Sequence, residues 1–148
     1  MQHHAAAKDL AEAMREGCLG VRIGRLHRVV ARRFDQALRP LGLSLPQLEV
    51  LGVLMVRGPL KPTAVAEALA VERSTISRNL SLMERKGWVA RESSPSGRAN
   101  SVAITEQGIS VLASAREAWA DAQAYVVELL GSDSPATIDS WLKALATP

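Results

Sequence analysis

The sequence predicts a mainly helical protein carrying one small β-hairpin, an α+β fold, on three observations. Apolar residues recur at steps of three and four along most of the 148 residues, which places them on one side of successive helices. Two of these helical segments, around Val65 and Ile76, are separated by only three or four residues. Directly after them the pattern shortens to two partly alternating runs, Trp88-Val89-Ala90-Arg91 and Ser101-Val102-Ala103-Ile104, around the turn-rich Ser93-Ser94-Pro95-Ser96-Gly97-Arg98.

Each element has a local reason. Leu19, Ile23, Leu26, Val30, Phe34, Ala37 and Leu41 form one stripe, so a long first helix is expected to run to Pro40, with Gly42 behind it. The extreme N-terminus around His3 and His4 is expected to be disordered. Ser44-Leu45-Pro46-Gln47 has the pattern of a capping box, opening a second helix to about Arg57 that Gly58-Pro59 ends. Pro62 suits the first turn of a third helix containing Val65, Ala66 and Leu69. The fourth carries Ile76, Leu80 and Met83 on its inner face, keeps Arg85 and Lys86 in its last turn, and stops at Gly87. After the hairpin, Thr105 is the expected N-cap of one long helix containing Ile109, Leu112, Trp119, Tyr125, Val126, Leu129 and Leu130. Ser134-Pro135 starts a last short helix with Ile138, Trp141, Leu142 and Leu145.

Composition narrows the function. With 47% hydrophobic and 22% charged residues in 15.9 kDa, the chain reads as one globular domain, of a size that typically buries about 68–70% of its unfolded surface. The single cysteine, Cys18, excludes an internal disulfide and fits a reducing compartment. The longest apolar run, residues 50–56, is far below the roughly 18 residues of a membrane span, and the first ten residues lack a secretory signal's apolar stretch. A cytoplasmic location without membrane contact is therefore expected. Charge is unevenly spread. Residues 1–60 carry nine Lys/Arg against five Asp/Glu, 61–104 seven against four, and 105–148 two against six. A basic front of this kind suits a polyanion.

A helix-turn-helix followed by a hairpin with a basic tip is a winged helix-turn-helix, expected over residues 44–104. If Ile76, Leu80 and Met83 face inward, Arg73, Ser74, Thr75, Ser77, Arg78 and Ser81 lie toward the other side of the fourth helix or at its N-terminal end. Short hydroxyl side chains allow close approach in a DNA major groove, and an arginine can bond a guanine at O6 and N7. Arg78 is the first choice for that reader. Arg91 on the first strand and Lys61 before the third helix are expected to contact phosphates, which fixes register without reading sequence.

The order and spacing of three segments resemble the MarR family of transcriptional regulators. They are Phe34-Asp35-Gln36-Ala37-Leu38-Arg39-Pro40-Leu41-Gly42-Leu43-Ser44 with Gln47; Ser74-Thr75-Ile76-Ser77-Arg78-Asn79-Leu80 running to Met83-Glu84-Arg85-Lys86-Gly87-Trp88-Val89; and Arg98 followed by Val102-Ala103-Ile104-Thr105-Glu106-Gln107-Gly108. The resemblance implies that Arg78 is a base-contacting position, that Ser74, Thr75 and Asn79 are neighbouring contacts, and that Arg98 is the wing arginine directed at the minor groove. Ser96 stands where the family usually has an aspartate, so a neutral contact replaces an ion pair beside Arg98. The resemblance also implies a two-fold homodimer and a small, often anionic aromatic or lipophilic effector.

The residues support the dimer independently. Amphipathic helices at both ends, residues 8–42 and 105–148, have to bury their stripes, and pairing two chains does so. Arg22, Arg25, Arg28, Arg32 and Arg33 form a basic segment with no acid before Asp35; Arg22 and Arg25 are the candidates for pairing an effector carboxylate. Cys18 is expected to be a buried, inert thiol, and no cofactor or metal site is expected. Nor is an enzyme, since phosphate loop, nucleophile elbow and close carboxylate pair are all missing. The function expected is a sequence-specific DNA-binding regulator, homodimeric, repressing at a pseudo-palindromic operator and released by an effector. The alternatives are a winged-helix protein-interaction module, or a ligand-independent regulator or activator on the same scaffold.

Overall fold

Capping chemistry sets several helix boundaries in the computed structural model, which describes residues 1–93 and 100–146. Ser44 Oγ accepts from the Gln47 amide at 3.4 Å while Gln47 Oε1 accepts from the Ser44 amide at 3.1 Å, the reciprocal box expected from the sequence. The helices are α1 (Gln2–Gly17), α2 (Leu19–Leu38), α3 (Leu45–Arg57), α4 (Pro62–Leu69), α5 (Arg73–Arg85), α6 (Glu106–Ser114), α7 (Arg116–Leu130) and α8 (Ser134–Ala146). A single 3-10 turn, Arg39–Leu41, separates α2 from α3. Strands β1 (Val89–Ser93) and β2 (Asn100–Ile104) pair antiparallel, with Val89 opposite Ile104 and Ser93 opposite Asn100. Among the described residues no helix is long and apolar enough to cross a membrane.

Ser44→Ala is expected to lower stability by about 1 kcal/mol, read as a reduced urea midpoint at unchanged denaturant dependence.

The chain divides into two compact units, Met1–Arg33 and Phe34–Pro148. The first holds α1 and most of α2. Here the structure corrects the expected disordered N-terminus: His3 and His4 lie in α1, a segment rich in Ala, Glu, Lys, Leu and Met, all strong helix formers. Cys18, with extended backbone (φ −68°, ψ 113°), breaks the helix before α2. Its thiol is free and half-buried rather than buried as expected. Leu10, Met14, Leu19, Ile23 and Leu26 are all exposed.

The second unit contains the core. Leu38, Val50, Leu51, Leu54, Val65, Ile76, Leu80, Met83 and Val102 are fully buried, drawing on the end of α2, on α3, α4, α5 and on β2. Leu60 adds a one-residue antiparallel bridge to β2, its amide donating to the Val102 carbonyl at 3.1 Å and its carbonyl accepting from the Val102 amide at 2.8 Å. The end of α5 is a Schellman turn. Trp88 N–H reaches the Met83 carbonyl at 3.0 Å and Gly87 N–H the Glu84 carbonyl at 2.9 Å, with Gly87 at φ +74°.

Thr105 caps α6 as expected, its Oγ1 accepting from the Gly108 amide at 3.0 Å. The single long helix expected beyond it is two. At Ala115 the amide is shared between the Val111 and Leu112 carbonyls at 3.2 and 3.3 Å, and Ser114 Oγ donates back to the Val111 carbonyl at 2.8 Å. This tightening and back-bonding re-aim the chain without glycine or proline. Along α7 and α8, Trp119, Tyr125, Leu129, Leu130, Trp141, Leu142 and Leu145 are exposed.

Candidate nucleic-acid interface

Helix α5 is amphipathic in an unusual sense: its outer face carries arginine and serine, not alternating acid and base. Ile76, Leu80 and Met83 are buried beneath it. With 3.6 residues per turn, Ser74, Arg78, Ser81 and Arg85 then fall along the opposite face. Arg73 and Ser77 flank this row on one side; Thr75 and Asn79, both half-buried, flank it on the other. The structure thus brings six of the nine candidate DNA contacts, Arg73, Ser74, Thr75, Ser77, Arg78 and Asn79, onto one helix.

Ser77, Arg78, Ser81, Leu82 and Arg85 line a shallow depression of about 410 Å³. Ser81 Oγ donates to the Ser77 carbonyl at 3.0 Å, which keeps that hydroxyl close to the helix and leaves room beside Arg78. From the sequence Arg85 is expected only in the last turn of the fourth helix. Its spacing of seven from Arg78 was the available signal that the two share a face.

The first turn of α5 holds no acid, and its N-cap residue Glu72 makes no side-chain cap. Lys61 is exposed at the N-cap of α4, away from the α5 row in sequence. Arg98, with Ser96, lies outside the described residues. Arg91 differs from the expectation of an open phosphate contact. Its Nε donates to Glu84 Oε1 at 2.8 Å and its Nη1 to Asn100 Oδ1 at 3.3 Å, so the guanidinium is already engaged within the fold.

Two further features escaped the sequence. Lys86 Nζ donates to the Gly42 carbonyl at 2.6 Å and sits 4.3 Å from the centroid of the Trp88 ring, tying the end of α5 to the turn before α3. A cavity of about 500 Å³ is lined by Phe34, Leu45, Leu48, Glu49, Gly52, Leu112, Ala115, Arg116, Trp119 and Gln123. Its cation is Arg116. Arg22 and Arg25, the cations expected to meet an effector, belong to the first unit, where both are exposed and the Arg22 guanidinium donates to the Glu16 carbonyl. Among the described residues no cluster of His, Cys, Asp and Glu is able to hold a metal.

This arrangement has clear relatives. The MarR family model matches residues 41–99, from the turn before α3 to beyond the end of β1. The structure is similar to the M. tuberculosis transcriptional regulator MosR, with a TM-score of 0.79 and 27% identity over 90% of this chain and 98% of that one. Through residues 41–99 the chain is similar to the MarR family. The structure is also similar to the transcriptional repressor CouR. CouR bound to a 23-mer DNA duplex gives a TM-score of 0.78 and 28% identity, covering 90% of this chain and 95% of that one. CouR bound to p-coumaroyl-CoA gives 0.78 and 26%, covering 91% and 95%. The HTH-type transcriptional regulator YwoH of Bacillus subtilis (strain 168) is 31% identical over 80 residues. That match spans 54% of this chain and 58% of YwoH. MarR-family members are transcriptional regulators rather than enzymes.

Proposed function

We propose that this protein is a sequence-specific DNA-binding transcriptional regulator that acts as a homodimer, repressing at a pseudo-palindromic operator and releasing it when a small molecule binds. The observation that carries the proposal is the outer face of α5. There Arg78 is exposed and, among the described residues, has no carboxylate partner. Arg78 reads a guanine, Ser74, Thr75, Ser77 and Asn79 contact neighbouring positions, Arg73 and Lys61 meet phosphates, and Arg98 enters the minor groove. CouR bound to DNA supports the same use of the fold.

The dimer rests on unburied apolar surface. Leu19 is 69% exposed, Leu129 65% and Leu145 80%, on helices α2, α7 and α8 respectively, and a two-fold partner that covers such residues sets two recognition helices about 34 Å apart. The effector reading rests on the 500 Å³ cavity, which has the volume of a drug-sized ligand site, aromatic walls in Phe34 and Trp119, and Arg116 to pair an anionic group. CouR with p-coumaroyl-CoA supports a ligand-responsive reading.

The test is selection of duplexes from a random-sequence pool by the full-length protein, followed by fluorescence anisotropy and sedimentation at several salt concentrations. The expected result is an enriched pseudo-palindrome bound by two protomers at least about a thousandfold more tightly than its scramble. Equal, steeply salt-dependent binding to both duplexes would make it a general DNA-coating protein. Absence of binding at low salt would favour the protein-interaction alternative.

A further inference from the structure

We infer that Arg91 is a positioning residue that locks the hairpin to the recognition helix, in place of the phosphate contact its sequence position suggested; the inference rests on the DNA-binding reading of α5. One guanidinium joins three elements. Arg91 stands on β1, Glu84 in the last turn of α5, and Asn100 at the start of β2, with separations of 2.8 Å and 3.3 Å.

Strand geometry points the same way. Successive side chains on a strand alternate faces, so Arg91 shares its face with Val89 and lies across the ladder from Val102, and both valines are buried. Ala90 and Glu92 take the other face. Arg91 therefore leaves the strand on the side that packs against the protein body, and its long side chain reaches the end of α5.

Glu84 supplies an independent reason. A carboxylate in the last turn of a helix interacts unfavourably with the negative end of the helix dipole, so local energetics disfavour glutamate there. The Arg91 guanidinium offsets this. The pair is partly open to solvent, with side chains 41% and 27% exposed, so it adds little to global stability. Its effect is geometric: the strands that carry the wing take their direction from α5. Lys86, bonded to the Gly42 carbonyl one residue beyond the helix, holds the other side of the same turn.

The two roles of Arg91 predict opposite signs for Glu84→Ala. If Arg91 bound phosphate, losing an acid beside it would free the cation and strengthen DNA binding. If Arg91 is a lock, losing its partner weakens binding to the duplex enriched by the wild-type protein, by roughly fivefold or more. Arg91→Ala is expected to weaken binding similarly with an unchanged salt slope, whereas loss of a phosphate contact lowers the slope by about 0.9 per protomer. The exchange Glu84→Arg with Arg91→Glu is expected to restore most of the affinity.

Amide hydrogen exchange on the free protein decides the lock without DNA. Glu84→Ala should raise exchange in residues 89–93 and 100–104 while α3 stays protected. Unaltered exchange in both strands, or tighter DNA binding by Glu84→Ala, overturns the inference. If the wild type enriches no duplex, the DNA reading fails and the exchange result alone judges the lock. Should Glu84→Ala fail to fold, Glu84→Gln, which keeps the size and removes the charge, is expected to shift both measurements in the same direction.

Discussion

Gly108→Ala is expected to destabilise the protein by about 3 kcal/mol or more, the upper range for forcing atoms into a packed site. A Cβ at Gly108 would stand 2.1 Å from the Trp88 carbonyl oxygen and 2.8 Å from Ile104 Cγ1. The first of these is backbone, which cannot rotate aside. The crowding arises because Thr105 draws three things together: its amide donates to the Trp88 carbonyl at 3.0 Å, its hydroxyl donates to the Gly87 carbonyl at 2.5 Å, and the same oxygen accepts from the Gly108 amide. The start of α6 is thereby pressed against the chain leaving α5, and the hairpin is closed at its base. Urea unfolding measures the loss. Gly52→Ala in α3 is the control, because a Cβ there meets nothing within 4 Å. It is expected to be neutral or stabilising by up to about 1 kcal/mol. A loss below about 1 kcal/mol for Gly108→Ala would show that the corner relaxes and that the close approach is unimportant.

Arg78→Ala is the second large effect, and it falls on function. On the proposed role of Arg78 as the guanine reader of a homodimer, loss of the bidentate contact removes roughly 1–3 kcal/mol of discrimination at one base step in each half-site. The expected result is a drop of the enriched duplex toward scrambled DNA, with thermal stability unchanged because the side chain is exposed and supports no packing. Arg78→Lys is expected to recover the electrostatic part only, since an ammonium lacks the planar fork. Comparing variants of the duplex changed one base pair at a time locates the effect. Equal weakening on enriched and scrambled duplexes would make Arg78 a phosphate contact and move the reading role to another residue on the Ser74–Arg85 face.

These two positions differ in how they could be found. Arg78 was legible because a helix repeats every 3.6 residues: once Ile76, Leu80 and Met83 are assigned inward, the outer row follows by counting. The Ser44 and Thr105 caps were legible for the same reason, as each depends on residues three apart. Gly108 was visible only as part of a motif, with no sign that the Trp88 carbonyl lies against it. The break at Ala115 is not legible because a lone serine, Ser114, without glycine or proline beside it is too weak a turn signal. Leu60 was missed because a one-residue bridge has no period. The helicity of residues 2–7 rests on the propensity of an alanine-rich segment, a weaker signal than an apolar stripe.

The sequence by itself determined the local order of this protein: which segments wind into helices, where hydroxyl groups cap them, which face of α5 is apolar, and the polyanion-seeking charge of its first two thirds. Each depends on interactions between residues a few positions apart, whose geometry is fixed by the backbone. Only the tertiary structure decided that Arg91 is held by Glu84 and Asn100, that Lys86 reaches Gly42, and that Arg116 and Trp119 meet Phe34 around one cavity. Long side chains have many possible partners, and which one lies within 3 Å is set by packing between elements far apart in the chain.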